Sequence, residues 1–395
     1  MKNVIGRAAK AFFGMKIRLW AFILACVLCV GVTYGLTVQR ERERIGSEEN
    51  YTQAMKYLEI KNVLDQYYVG DVDEEAVSSA AFAAMVDALG DEWSYYMSPS
   101  EYSAYQLYSA NQYVGLGVQI DKDTDTGGLK ITGVYTDSPA QTAGLAVGDI
   151  IIAVNDTDIT DMTVGDARSF IETNLGESVR LRIQKSDGNQ SDVTVNCAVV
   201  YTNPVSYEML SGSIGYVQIL NFHSGTAEAA ISAIETLLTQ GAKGFIFDVR
   251  TNPGGLVSEL TTLLDYLLPS GTIFISVDES GNQTPTESDS VCLDMPMAVL
   301  VNADTYSAAE FFAAALQEYN WADIIGERTT GKGRSQQTIE LSDGSAVHIS
   351  TAKYLTPLGV DLSEQGGIVP DQEIALTAKA DTQLNAAISA VQMMM

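Results

Sequence analysis

The chain has only two histidines, His223 and His348, 125 residues apart in a total of 395. No motif around either supports a Ser–His–Asp relay or a metal site, so packing in the core or at the surface describes both. Cysteine is scarce too. Of the four, Cys26 and Cys29 fall inside an apolar run, and only Cys197 and Cys292 are left to the rest of the chain. Those two either pair in an oxidising compartment or stay as buried thiols, and no spacing among the four suits a metal. Basic residues are few: 23 Lys and Arg against 50 Asp and Glu, a formal charge of −27. Phosphates would be repelled, which excludes nucleic acid as a partner. Acidic runs, low-complexity tracts and internal repeats are lacking, so the acidity reads as a solvated surface.

The N-terminus reverses that charge. Lys2, Arg7, Lys10, Lys16 and Arg18 occur with no acid among residues 1–18, and residues 19–38 are then uncharged and mostly apolar. Twenty helical residues at ~1.5 Å rise span about 30 Å, one hydrocarbon core. The run is longer than a secretory h-region and no clear Ala-x-Ala site follows, so it reads as an uncleaved anchor. The basic flank stays cytoplasmic, which places the remainder outside a cell membrane crossed once.

A charged linker opens residues 39–111. Two helical patterns follow: Tyr57, Ile60, Leu64, Tyr67 and Tyr68, then Val77, Ala81, Met85 and Ala88, with Asp71 and Asp73 at the break where a cap is expected. A tyrosine-rich stretch runs from Tyr95 to Tyr108. Residues 112–198 change to short strands and glycine turns. Strands are expected over 114–120, 129–134, 150–154, 179–184 and 193–199, with one helix between Thr163 and Asn174, which makes a small α+β domain. In residues 199–395 strands (215–220, 244–249, 298–302, 322–326) alternate with helices (227–240, 257–268, 308–319), the pattern of an α/β core. Ile231, Ile234 and Leu238 are expected to face inward. The fold class is thus multi-domain, α/β and α+β, behind a transmembrane helix and a helical segment.

In such cores chemistry gathers where strands end. Ser307 follows Val-Leu-Val-Asn-Ala-Asp-Thr-Tyr, and Lys332 lies 25 residues on between Gly331 and Gly333. A lysine amine can take a serine's proton only when neutral, so burial must lower its pKa from ~10.4. Gln336, four residues on, is placed to orient the amine. Backbone N–H groups of Gly254 or Gly255, in Asp248-Val-Arg-Thr-Asn-Pro-Gly-Gly255, and of Ala308 at a helix start are candidates for an oxyanion hole. Each residue alone has a plainer reading: Ser307 as an N-cap, Lys332 as a solvated loop residue, Asp248 and Arg250 as an ion pair. Gly326-Glu-Arg-Thr-Thr-Gly-Lys332 matches most of a phosphate loop, but Gly333 replaces the required Ser or Thr. Asp121, Asp123 and Asp125 alternate like a calcium loop, yet Thr132 takes the closing acidic position, and a solvated hairpin turn fits better.

Taken together, these segments resemble the carboxyl-terminal processing peptidases, S41-type serine proteases with a Ser–Lys dyad. The likeness runs from about residue 55 to 376. It rests on Leu89-Gly-Asp-Glu-Trp-Ser-Tyr-Tyr-Met97, Asp248 to Gly255, Ser307-Ala-Ala-Glu310, Gly331-Lys-Gly333 with Gln336, Tyr354-Leu-Thr-Pro357 and Gly367-Ile-Val-Pro-Asp371. It implies a crotonase/ClpP-like protease core, with Ser307 as nucleophile, Lys332 as base, Gln336 as its partner, and no metal, nucleotide or other cofactor. The family usually has small residues around the nucleophile; here Thr305, Tyr306 and Ala309 depart, and Arg334 and Ser335 replace the usual Thr-Val.

Residues 112–198 resemble a protease-associated PDZ domain through Ser138-Pro-Ala-Gln-Thr-Ala-Gly-Leu-Ala-Val-Gly-Asp-Ile150. Gly115, Leu116 and Gly117 resemble its carboxylate-binding loop. The expected partners are proteins or peptides with free C-termini. For the helical region the resemblance implies capping of the site or a homodimer. The competing expectation is an inactive, membrane-anchored PDZ scaffold.

Overall fold

A computed structural model describes residues 20–37, 39, 46–173, 178–185, 187–377 and 380–395. They fall into two units, Met1–Ala80 and Ala81–Met395. In the first, the helix Trp20–Thr37 has mean hydropathy 2.0 and none of it is buried. The basic tail, Leu19 and Val38 lie outside the described residues. Both helical patterns form: the helix Glu48–Tyr67 is capped by Ser47, and Asp73 accepts the Ala76 N–H at 3.0 Å at the start of Glu74–Asp87. Tyr57 and Ser78 hydroxyls meet at 2.9 Å, and Lys61 pairs with Glu74 at 3.0 Å.

In the second unit, a six-stranded sheet carries the core. Its order is Val205–Leu210, Ile214–Ile219, Gly244–Asp248, Met297–Val301, Asp323–Gly326 and Gln372–Glu373; the first pair is antiparallel and the rest parallel. Gly244–Asp248 and Met297–Val301 are buried at every residue, as a strand covered on both faces must be. The helices Thr226–Thr239, Val257–Leu267 and Ala308–Glu318 contribute to one apolar cluster, and the C-terminal helix Thr382–Met394 to another. The four expected strands and three expected helices begin and end within two residues of their expected bounds, while Val205–Leu210, Gln372–Glu373 and Thr382–Met394 had no counterpart in the expectation. The inward face of Thr226–Thr239 differs: Ala227, Ala230, Ala233, Ile234 and Leu237 are buried, while Ile231 and Leu238 are only partly so. Alanines let that helix lie close, with Ile234 and Leu237 filling the core and Ile231 and Leu238 at its flanks.

The expected ion pair is part of a larger tie. Arg250 grips Asp248 (Nη2 to Oδ2 2.6 Å) and reaches Asp381 and Gln383 at the start of the C-terminal helix (2.9 and 3.1 Å). The Tyr216 hydroxyl donates to the same Asp248 oxygen. Because Asp248 is 1% exposed, Arg250→Met strands a buried carboxylate. Urea unfolding should show a loss of about 3–5 kcal/mol.

A second sheet was not anticipated. Ala346–Leu355 pairs antiparallel with Tyr95–Met97, Gly271–Val277 and Arg334–Glu340, and Gln283–Ser288 extends the edge. Gln-Thr-Pro-Thr-Glu-Ser and Arg-Ser-Gln-Gln-Thr-Ile-Glu carry no apolar alternation; ladder pairing holds them instead.

In the small domain the expected strand 114–120 breaks at Leu116–Gly117. Gln112–Gly115 pairs with Ala198–Tyr201, and Val118–Lys122 pairs with Leu129–Val134. The expected strand 193–199 breaks likewise at Cys197, between Gln190–Asn196 and Ala198–Tyr201. The helix Val164–Thr173 forms where expected. Asp123 closes its own hairpin turn, accepting the N–H and hydroxyl of Thr126.

Candidate active site

The Ser307 turn is built by short polar side chains. After Met297–Val301, the buried Thr305 hydroxyl donates to the Val249 carbonyl at 2.8 Å, and Tyr306 N–H donates to the Asn252 carbonyl. Asn252, fully buried, donates to the Ile219 carbonyl and accepts the Gly254 N–H, both at 2.8 Å. This stitches three strand ends together. Ser307 then sits at φ 58°, ψ −130°. An ordinary N-cap is extended, so Ser307 is no ordinary cap; positive φ in a non-glycine residue is strain held by its surroundings.

Behind it, Glu310 is fully buried and accepts four bonds. One oxygen takes the N–H of Ser307 (2.9 Å) and of Lys332 (2.8 Å); the other takes the N–H of Gly331 (2.7 Å) and the hydroxyl of Thr329 (2.5 Å). One carboxylate therefore joins the Ser307 turn to the Lys332 loop. In that loop the amides of Gly331 and Lys332 serve Glu310 and those of Thr329 and Thr330 the carbonyls of Ile368 and Thr305, which removes them from any phosphate cradle.

Ser307, Lys332, Gln336, Ala308 and Gly255 line one cavity of about 320 Å³. Its apolar wall includes Leu260, Phe274, Phe311 and Tyr354. Burial brings the Lys332 amine down to about 8, against the pull of Asp91, Glu310 and Glu92. The amine lies over the Trp93 ring at 4.3 Å, and no hydrogen bond joins it to Ser307 Oγ among the described residues. Gln336 does not reach it here either; its amide donates to Ser350 Oγ (3.0 Å) and the Arg334 carbonyl (3.2 Å). The strand shifts register between Ser335 and Gln336, so four residues of spacing do not place that side chain on the lysine. Of the oxyanion candidates, Gly254 has spent its N–H on Asn252. Those of Gly255 and Ala308 donate to no other group among the described residues.

Sequence reasoning missed four parts of the lining. Both histidines are in it, with Tyr105 and Tyr108 from the tyrosine-rich stretch. Burial, with the Lys332 charge, drives His348 down to about 4; burial also lowers His223. His348 Nδ1 pairs with the Thr338 hydroxyl at 2.8 Å, and neither imidazole bonds Ser307 among the described residues.

A second cavity, about 510 Å³, has Gly115, Leu116 and Gly117 on one side and Val164, Arg168 and Ile171 of the helix on the other. The carbonyls of Leu116 and Gly117 accept from Ala140 and Tyr135, and Gly117, at φ 79°, packs against Ser138. Tyr108 lines both cavities.

The Peptidase family S41 profile matches residues 213–374, and a PDZ domain profile matches residues 130–185. The carboxy-terminal processing protease CtpA of Bacillus subtilis is 30% identical over 350 residues, covering 87% of this chain and 75% of its own. This chain belongs to the carboxyl-terminal processing peptidases of family S41. The carboxyl-terminal-processing protease of Synechocystis is 31% identical over 323 residues, 78% of this chain and 75% of its own. An S41 protease structure from Bacteroides fragilis shares the fold at TM-score 0.53 and 18% identity, over 84% of this chain and 93% of that one. This peptidase is therefore a serine protease with a PDZ domain, and its substrates are proteins or peptides.

Proposed function

We propose that this peptidase is a membrane-anchored endopeptidase acting outside the cytoplasm near the C-termini of protein substrates, with a crotonase/ClpP-like core. Ser307 attacks the scissile carbonyl and neutral Lys332 takes its proton. Gln336 orients the amine once substrate fills the cavity. The N–H groups of Gly255 and Ala308 stabilise the oxyanion, the latter helped by the helix dipole. Water then releases the acyl group. The loop Gly115–Leu116–Gly117 captures the terminal carboxylate while the peptide adds as a strand. The apolar helix near the N-terminus serves as the anchor, and the helical pair after it as a dimer contact or cap.

The observation that carries this reading is Ser307 at a strained turn, in one cavity with a lysine whose amine burial has brought down to about 8. The test is cleavage of a matched peptide pair, one with a free terminal carboxylate and one amidated. Wild type should prefer the free acid, and Ser307→Ala and Lys332→Ala should both lose cleavage. Persistence in Lys332→Ala rejects the dyad; no cleavage by wild type shifts weight to a scaffold. The pH profile gives a second check. The base works deprotonated, so kcat/KM should rise with pH and level off above about 8. The same shift acts on stability. Between about 8 and ~10.4 the unfolded chain holds the lysine proton that the fold has released, so stability rises with pH in that window.

A further inference from the structure

We propose that Trp93 and Tyr306 form an aromatic seat that holds the ammonium form of Lys332 away from Ser307 and lets the amine go once it is neutral. This rests on the reading of Lys332 as the base, and makes both rings positioning residues. The Lys332 Nζ lies 4.3 Å from the centroid of Trp93 and 5.7 Å from that of Tyr306. The two rings are 5.9 Å apart and tilted by 32°, so they flank one space. Among the described residues no carboxylate, hydroxyl or carbonyl hydrogen-bonds to this amine. Each ring arrives from a separate direction. Trp93 precedes the strand Tyr95–Met97 on the second sheet, and Tyr306 is the residue immediately before the nucleophile.

The attraction of a ring face for an amine depends on its charge. Protonated, Lys332 gains from both faces; neutral, it loses that gain and is free to turn toward a hydroxyl. Proton and position are thereby coupled: the form that cannot act as base is the form held off the serine. The seat works against burial, since it favours the cation that burial disfavours. The other groups facing the amine come from every element around it. Asp91 and Glu92 lie just before Trp93 and Glu310 on the nucleophile helix, all three favouring the cation. Asp91 is itself held below the usual carboxylate range, its burial outweighed by Ser350, Ser94 and Trp93 N–H, so its charge is constant through neutral pH. His348, on the strand Ala346–Leu355, is neutral above about 4 and adds no charge. Arg334 is felt through Asp91. Tyr306 keeps its proton, because burial and Asp304 push its phenol up.

The test measures the titration of Lys332 directly, in the full-length protein in detergent. Only a neutral amine is acetylated, so the rate of Lys332 acetylation by acetic anhydride against pH, read by peptide mass spectrometry, gives its pKa without any need for turnover. Trp93→Leu keeps the site apolar and removes the nearer face; it should lower the Lys332 pKa by about half to one unit. Tyr306→Leu should lower it less, and Trp93→Phe, which keeps a face, should stay closer to wild type. The acid limb of kcat/KM should move by the same amount in each variant. A pKa unchanged or raised in both leucine variants overturns the seat. Should Trp93→Leu fail to fold, Tyr306→Leu carries the same decision. Cleavage by Lys332→Ala is the separate arm: activity there rejects the dyad, whatever the acetylation profile of the other variants says about the seat.

Discussion

Glu310→Gln should leave a folded protein that turns over about a hundredfold more slowly. The wild-type carboxylate accepts from Ser307, Lys332, Gly331 and Thr329. An amide has one accepting end. Turned one way, its NH2 faces the amides of Ser307 and Lys332; turned the other, it faces Gly331 N–H and the Thr329 hydroxyl. Either way at least one buried backbone N–H loses its acceptor, at about 1–3 kcal/mol, and the remaining bonds lose their charge assistance. Thermal unfolding should therefore fall, but the larger effect is geometric. Misplacement of the reacting groups by about 1 Å costs about 10²-fold. Steady-state kinetics should show the loss in kcat, with KM little changed because the cavity wall is intact. Glu310→Asp should not restore activity, since its shorter chain cannot reach both loops from the same helix position. Wild-type kcat in Glu310→Gln would mean that the two loops hold their places without it.

Gly254→Ala should be worse. A Cβ there would stand 2.7 Å from Ala308 N, 2.8 Å from Ser307 Cβ and 2.9 Å from the Tyr306 carbonyl oxygen, with φ at +85°. Two of these three atoms are backbone and all belong to the Ser307 turn, so relief requires moving Ser307 itself, the proposed nucleophile. Positive φ adds about 1–3 kcal/mol and overpacking a similar amount. Activity should fall below detection and the denaturation midpoint should drop. Gly241→Ala separates the two costs: its φ is +94°, but nothing lies within 4 Å of its added carbon. It should show the backbone penalty alone and keep full activity. Equal stability losses in the two variants would mean that the close approach at Gly254 is soft.

The parts legible in the sequence were those whose pattern is local. Phe245 to Phe247 and Ala298 to Val301 are short unbroken apolar runs rich in aromatic and β-branched residues, the pattern of a strand buried on both faces. Glycine-flanked Lys332 and the helix after Ser307 are legible from adjacent residues. What stayed hidden depends on residues far apart in the chain. Trp93 and Lys332 are separated by 239 positions, and only the antiparallel pairing of Tyr95–Met97 with Ala346–Leu355 brings Trp93's segment to the second sheet. The same strand carries His348 into the cavity wall, where a period-based reading had only core or surface to choose between. Glu310 was visible as part of a motif, but its work was not: four donors from two loops converge on it, and none is at helical spacing except the Ser307 turn. Gln336 shows the limit of spacing alone: a register shift between Ser335 and Gln336 leaves its amide on Ser350 and the Arg334 carbonyl in this structure.

The Glu310 tie also sets a timescale. Ser307 and Lys332 belong to different loops, yet both main-chain N–H groups are tied to one carboxylate. What remains free is the lysine side chain, with its four rotatable bonds. Passage of the amine from the rings to the hydroxyl then needs torsional hops, which belong to the picosecond–nanosecond class, and not the microsecond–millisecond motion of a closing lid. Under the proposed dyad, arming the base is then far faster than any catalytic cycle of ordinary length, which leaves peptide entry, acyl transfer and product release as the slow steps.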